Sequence, residues 1–127
     1  MSNNFLKEIP EIEENWNQIK HLFIEKHVRS KTTLLSEGMV SKYIYFINKG
    51  ALRLWNNDDG RDITVQFFFE GQVVSSFESF YQGENSQFSI ESIEDSNITL
   101  LSKESLDLLI DKFPNINKYI IDIICKR

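Results

Sequence analysis

The spacing of apolar residues along the chain changes twice. From Pro10 to His21 they recur at helical spacing, with Ile12, Trp16 and Ile19 on one face, which predicts a helix. From about Leu22 to Leu101 the period is two, in short aromatic and β-branched runs separated by turn residues. The helical period then returns. This order predicts a mainly β fold with flanking helices, built as a sandwich or jelly-roll barrel.

Turn residues divide the β region into short strands. Asn56 to Gly60 predicts a hairpin loop between Trp55 and Arg61, and residues 48–50 predict a tight connection in which a glycine is available for positive φ. The runs are HLFIEKHV, TTLLSEG, KYIYFINKG, ALRLWN and DITVQFFFEG, followed by strands at about Gln87 to Ile93 and Ile98 to Leu101.

Two helices are predicted after the last strand. Ser102 is the expected N-cap of the first, whose apolar face consists of Leu106, Leu109 and Ile110. Pro114 is expected to end this helix and begin another. The apolar face of the second helix, at about 114–127, consists of Ile116, Tyr119, Ile120, Ile123 and Ile124.

Composition narrows the class of protein. We expect the 127 residues to form one domain, with a formal charge of −5 and no basic stripe for a phosphate backbone. No apolar run has the length of a membrane span, and the N-terminus lacks the pattern of a signal peptide. Cys125 is the single cysteine, which agrees with a reducing compartment. These features predict a cytoplasmic protein that does not interact with membranes.

Catalytic and metal-binding patterns are missing from the sequence. His21 and His27 are the only histidines, and no spaced set of Cys, His and carboxylate residues accompanies them. No Ser-His-Asp set, Cys-His set or phosphate-binding P-loop is present. We therefore expect neither a metal site nor an enzyme.

The segment from Gly71 to Ser92 has the outline of a phosphate-binding cassette. A glycine opens a short strand, small residues lead into one helical turn, and a loop at Gly83 leads into another strand. With the roll and its helices, this cassette resembles the sensor domain of the Crp/Fnr family of bacterial transcription regulators over nearly the whole chain. The matching positions are Glu37-Gly38, Tyr43 to Gly50, Gly60, Gly71, Phe80, Gly83, Leu100-Leu101-Ser102, Leu106 and Phe113-Pro114.

The charged residues of the cassette depart from this family. Its cyclic-AMP binders carry a Gly-Glu pair for the ribose and an Arg-Ser pair whose arginine binds the cyclic phosphate. Ser75-Ser76 and Ser86-Gln87 stand at those positions here. Glu78 and Glu91 lie nearby in sequence and would repel an anion if they faced the pocket. Because Ser86 replaces the arginine, we expect no cyclic nucleotide and predict no cofactor.

Two interpretations of the cassette remain open. In one, its small polar residues line a pocket for another small-molecule effector, and its aromatic residues stack on a planar ligand. In the other, the serines only satisfy turn backbone and the phenylalanines fill the roll. The candidate pocket residues are Gly71, Ser75, Ser76, Phe77, Glu78, Ser86, Gln87 and Phe88.

The resemblance implies a homodimer that pairs through the final helix, and a helix-turn-helix DNA-binding domain beyond that helix. No such motif occurs before Arg127, so a fragment or a stand-alone sensor is expected. A second hypothesis is a stand-alone ligand or protein interaction module without DNA binding. A third, a metal enzyme on a cupin-like roll, would need a histidine cluster that the sequence does not supply.

Overall fold

The computed structural model describes residues 5–125, and the side chains of residues 6–122. The strands are β1 (Phe23–Val28), β2 (Thr33–Leu35), β3 (Tyr43–Lys49), β4 (Ala51–Asp58), β5 (Arg61–Phe69), β6 (Val73–Val74), β7 (Ser89–Ser92) and β8 (Ser96–Ser102). The helices are α1 (Pro10–Glu14), α2 (Trp16–Ile19), α3 (Phe77–Gln82), α4 (Lys103–Lys112) and α5 (Ile116–Cys125), with 3₁₀ turns at Phe5–Glu8 and Lys20–Leu22.

The described strands form two antiparallel sheets of four strands each. One sheet has the order β1-β8-β3-β6 and the other has the order β2-β7-β4-β5. Each sheet pairs strands that are distant in sequence, since β3 pairs with β8 and β4 pairs with β7. The predicted mainly β jelly roll with flanking helices is confirmed.

Strand β3 is buried on both faces. Tyr45 and Ile47 on β3 pack against the second sheet, where Leu52 and Ile90 belong to the same apolar cluster. The alternate residue Phe46 packs on the other side, against the helices. This double burial explains why the run YIYFI is apolar throughout instead of alternating with polar residues.

The helix predicted over Pro10 to His21 is interrupted at Asn15. Asn15 has φ −111° and ψ 16°, which separates α1 from α2. Asn15 Nδ2 donates to Glu11 O at 2.9 Å. The asparagine side chain thus satisfies a backbone carbonyl at the end of α1. Ile12 and Ile19 are nevertheless both buried, as the helical spacing predicts.

The β4–β5 hairpin has a shorter loop than the sequence predicts. The strands extend to the pair Asp58 and Arg61, and only Asp59 and Gly60 form the turn. Both turn residues have positive φ, 54° and 85° respectively, as a two-residue turn of type I′ requires. Three residues of the predicted loop therefore belong to β4.

Gly50 connects β3 to β4 at a position where no side chain fits. Its φ is 106°, as the predicted tight connection requires. A Cβ atom at this position would also lie 2.2 Å from Ser96 Oγ and 2.8 Å from Asp95 O. The backbone of this connection thus packs directly against the turn before β8.

The two C-terminal helices begin with different kinds of turn. Ser102 caps α4 as predicted, because its Oγ accepts a hydrogen bond from Ser105 N at 3.1 Å. Helix α5 begins at Ile116, two residues after the predicted start, since Phe113 O accepts from Ile116 N at 3.0 Å and forms an intervening turn. No helix within residues 5–125 is both long enough and apolar enough to cross a bilayer.

Candidate functional site

The cassette folds locally as its sequence predicts. Gly71 has φ 83° and precedes β6, which pairs with β3. Ser75 and Ser76 then lead into α3, and Gly83, with φ 74°, ends that helix in the left-handed conformation that favours glycine. The chain then returns through residues 84–88 to β7.

A cavity of about 400 Å³ lies between the cassette and the β4–β5 hairpin. Its size falls within the range of small-molecule pockets, about 300–1,000 Å³. The predicted site residues that line it are Ser75, Ser76, Phe77, Glu78, Gln87 and Phe88. Gly71 and Ser86, which were also predicted site residues, do not line it.

Several residues that the sequence analysis did not include among its pocket candidates complete the cavity wall. They are Leu54, Val65, Gln66, Phe68, Ser79, Glu84 and Asn85. The alternation of apolar and polar residues on β4 is the signal that identifies the hairpin wall, because Leu52 and Leu54 share one face of that strand. Pairing of Leu54 with Gln66, and of Leu52 with Phe68, places the β5 residues on the same face.

Ser86, which the sequence analysis predicts to stand where cyclic-AMP binders have the phosphate-binding arginine, has a buried side chain. Its Oγ lies 2.7 Å from Phe88 O and 2.8 Å from Ser76 Oγ, and it accepts a hydrogen bond from Phe88 N at 3.0 Å. Ser86 has one hydroxyl hydrogen and a carbonyl oxygen can only accept. Ser86 is the donor in both short contacts, so its single hydrogen is shared between Ser76 Oγ and Phe88 O.

The backbone of Ser86 is also fully engaged. Its N–H donates to Met39 O at 2.7 Å, and its carbonyl accepts from Gly38 N at 2.8 Å. The loop between β2 and β3 is thus bonded on both sides to the segment that would approach a phosphate. Neither the hydroxyl nor the N–H of Ser86 is free to donate to a ligand.

The other buried serines of the cassette bond to backbone in a similar way. Ser75 Oγ donates to Tyr43 O at 2.8 Å and lies 3.2 Å from Ser41 Oγ. Ser79 Oγ donates to Glu84 O and accepts from Ser41 N, the second contact being 2.8 Å. These contacts satisfy turn backbone, as the second interpretation of the cassette predicts.

Of the two acids near the cassette in sequence, Glu78 lines the cavity and Glu91 does not. Glu78 lines the cavity, together with Glu84, and both side chains are exposed. Glu91 instead accepts from Arg53 Nε at 2.9 Å on the outer face. No lysine, arginine or histidine is among the described residues that line the cavity.

The phenylalanines of β5 and the cassette have three different environments. Phe68, Phe77 and Phe88 line the cavity. Phe80 is buried in the apolar cluster beneath the helices. Phe67 and Phe69 lie on the outer face, 48% and 54% exposed.

The candidate dimer residues of α5 differ in exposure, although their helical spacing places them on one side of the helix. Ile116 and Ile120 are buried in the cluster between the helices and the β3 sheet. Tyr119 is 43% exposed. The neighbouring Ile121, which was not a candidate, is 47% exposed. The side chains of Ile123 and Ile124 lie outside the described residues.

Residues 25–113 match the sequence model of the family described as "Cyclic nucleotide-binding domain". The chain belongs to this family. No curated protein sequence matches the chain at a significant level.

Solved structures share the fold at low sequence identity. The catabolite activator protein of Thermus thermophilus aligns with a TM-score of 0.74 at 17% identity, over 86% of this chain and 51% of that protein. A CooA mutant from Carboxydothermus hydrogenoformans aligns with a TM-score of 0.74 at 15% identity, over 93% and 74% of the two chains. The regulatory subunit of a cAMP-independent protein kinase A from Trypanosoma brucei aligns with a TM-score of 0.70 at 16% identity, over 91% and 44%. The chain thus spans about half the length of the catabolite activator protein.

Proposed function

We propose that this chain is the effector-sensing and dimerisation domain of a Crp/Fnr-like bacterial transcription regulator, and that its effector is not cyclic AMP. The observation that carries the proposal is the cavity beside the cassette, which no described lysine, arginine or histidine lines. In this proposal the protein is cytoplasmic and not an enzyme. DNA contact belongs to a domain outside this chain.

The electrostatics of the cavity favour this restriction on the effector. A cyclic phosphate would meet the carboxylates of Glu78 and Glu84 without a guanidinium to offset them. The N–H groups of Ser86 and Phe88 do not compensate, because both donate to protein atoms. An anion in this cavity would therefore lose its hydration for few favourable contacts.

Helix α3 connects the cavity to the C-terminal helices. Phe77 lines the cavity and also packs against the cluster that contains Leu106 and Ile116. Tyr81 lies at the other end of α3, and Lys103 Nζ of α4 is 5.8 Å from its ring centroid. An effector in contact with Phe77 is thus positioned to change how α4 and α5 pack, which is the two-state coupling that a sensor requires.

The exposed side of α5 is the proposed dimer surface. Ile116 and Ile120 stabilise the domain itself, so Tyr119 is the described candidate that a partner helix would contact. Sedimentation equilibrium should show a dimer, and Tyr119→Glu should shift it to monomer while the chain stays folded. A wild-type chain that remains monomeric at high concentration would contradict the dimerisation role.

Calorimetric titration tests the restriction on the effector. We expect no saturable heat with cyclic AMP or cyclic GMP, whereas the regulatory domain of Toxoplasma gondii protein kinase A, which was co-crystallised with cAMP, serves as the positive control. Micromolar binding of either nucleotide, abolished by filling the cavity with Ser76→Trp, would overturn the restriction and leave the sensor role intact.

A further inference from the structure

We infer that the cavity binds an organic cation, a small molecule that carries an amine or amidine group on an apolar body. The inference rests on the proposal that this cavity is the effector site and specifies the chemical class of its ligand. Two properties of the wall support it: its charge and the distribution of its apolar side chains.

The charge of the wall has one sign. Among the described residues that line the cavity, Glu78 and Glu84 are the charged ones, and neither has an ion-pair partner. Glu78 is on α3 and Glu84 follows Gly83, so the two carboxylates approach the cavity from consecutive segments of the cassette. A cation would gain attraction from both groups, and an anion would be repelled by both.

The apolar part of the wall would cover the body of the ligand. Leu54, Val65 and Phe68 come from the β4–β5 hairpin, and Phe77 and Phe88 come from the cassette. Apolar walls with a few convergent polar groups are typical of small-molecule sites. Phenylalanine faces also attract cations, by about 0.5–1 kcal/mol at exposed sites. The wall is therefore suited to an aryl or alkyl amine better than to a sugar phosphate.

Three probes with one ring system and different charges test the inference. Tryptamine is cationic, tryptophol is neutral and indole-3-propionate is anionic, and all three carry the same indole. Each is titrated into the full chain of 127 residues, with binding followed by amide ¹H–¹⁵N spectra. We expect tryptamine to shift resonances of the cassette and β5, with an affinity about tenfold above that of tryptophol because of the charge-assisted contacts. We expect indole-3-propionate to cause no saturable shift.

Carboxylate variants locate the charge effect. Glu78→Gln and Glu84→Gln should each weaken tryptamine binding about three- to tenfold and leave tryptophol binding unchanged. Glu94→Gln changes the net charge equally but lies in the turn before β8, outside the cavity wall, and should leave both affinities unchanged. Raising the salt concentration should weaken tryptamine binding alone.

Other outcomes overturn the inference and are distinguishable from failure of the proposed function. Equal affinity for tryptamine and tryptophol, or preference for the anion, would show an effector cavity of a different ligand class. Equal loss in Glu94→Gln and Glu78→Gln would show attraction to the overall negative charge instead of a site. Absence of any cassette shift with all three probes would reject the cation site, while dimer formation and coupling through α5 would remain to be judged by sedimentation.

Discussion

The two faces of the β4–β5 hairpin carry polar groups in opposite ways. On the outer face, the Arg53 guanidinium donates to both carboxylate oxygens of Asp62, at 2.7 and 2.8 Å, and to Glu91 at 2.9 Å. On the inner face, the next residue, Leu54, lines a cavity whose buried polar groups are neutral hydroxyls. The Arg53 guanidinium thus lies on the face away from the cavity, where the carboxylates of Asp62 and Glu91 satisfy it.

The outer face of the hairpin is stabilised by contacts between charged groups, and the cassette is stabilised by contacts between neutral groups. The hydrogen bond that Arg53 donates to Asp62, together with the charges of Asp62 and Glu91, raises the pKa of Arg53. The same hydrogen bond lowers the pKa of Asp62 from its ordinary value. The contacts between Ser76, Ser86 and Phe88 contain no titrating group. The outer face should therefore respond to acid and salt, whereas the cassette should respond to loss of single hydroxyls.

The largest difference between the faces should come from two adjacent phenylalanines. Phe68 is 1% exposed on the inner face, and Phe67 is 48% exposed on the outer face of the same strand. Phe68→Ala should lower the free energy of unfolding by about 3–5 kcal/mol, since it opens a cavity in the core. Phe67→Ala should cost less than about 1 kcal/mol. Urea unfolding measures both, and similar losses would contradict the assigned strand faces.

The next effect should come from the serine network. Ser86→Ala removes the acceptor of Phe88 N and the hydroxyl that donates to Ser76 Oγ, so we expect a loss of about 2 kcal/mol in unfolding free energy. Ser36→Ala is the matched control, because Ser36 is exposed, and it should change stability by less than about 0.5 kcal/mol. A neutral Ser86→Ala would mean that Ser86 is not the hub of the cassette.

A smaller effect is expected from the arginine of the outer face. Arg53→Met leaves Glu91 and Asp62 without their guanidinium but retains an apolar side chain over Trp55. We expect a loss of about 1 kcal/mol, because Asp62 is half exposed and solvent screens the pair. Arg61→Met, in the exposed turn of the hairpin, is the control of equal charge. Equal losses in the two variants would show that the Arg53 cluster stabilises the fold no more than an ordinary surface charge does.

The smallest effect is the pH dependence of that loss. Since Arg53 lowers the folded-state pKa of Asp62 below the ordinary 3.8, the pair stabilises the fold fully above that value. Its contribution decreases as the pH falls from 3.8 through the lower folded-state value, because the unfolded chain binds the proton first. The stability difference between wild type and Arg53→Met should therefore narrow in acid. A difference independent of pH would exclude Asp62 as the partner that matters.

Local sequence determined much of the fold and of the cassette. The change from helical to alternating spacing predicts the roll and its flanking helices, because each period matches the geometry of one element. Ser102 predicts a cap, and Gly83 predicts the end of α3, since both depend on neighbours within a few residues. The absence of an arginine at Ser86 is likewise evident without coordinates. These features involve the chain over short distances only.

Tertiary structure alone decided where the cassette acids and the aromatic residues of β5 point. Alternation fixes which residues share a strand face but not which face is inside, so FFF in β5 does not reveal that Phe68 is the buried one. The register of β4 against β5 shifts between Leu54 and Trp55, and this shift changes which residues of β5 face inward. The environments of Glu78 and Glu91 likewise differ through long-range pairing. Strand β4 places Arg53 beside Glu91 and not beside Glu78. Contacts between distant segments, which no local pattern encodes, set the charge of the cavity.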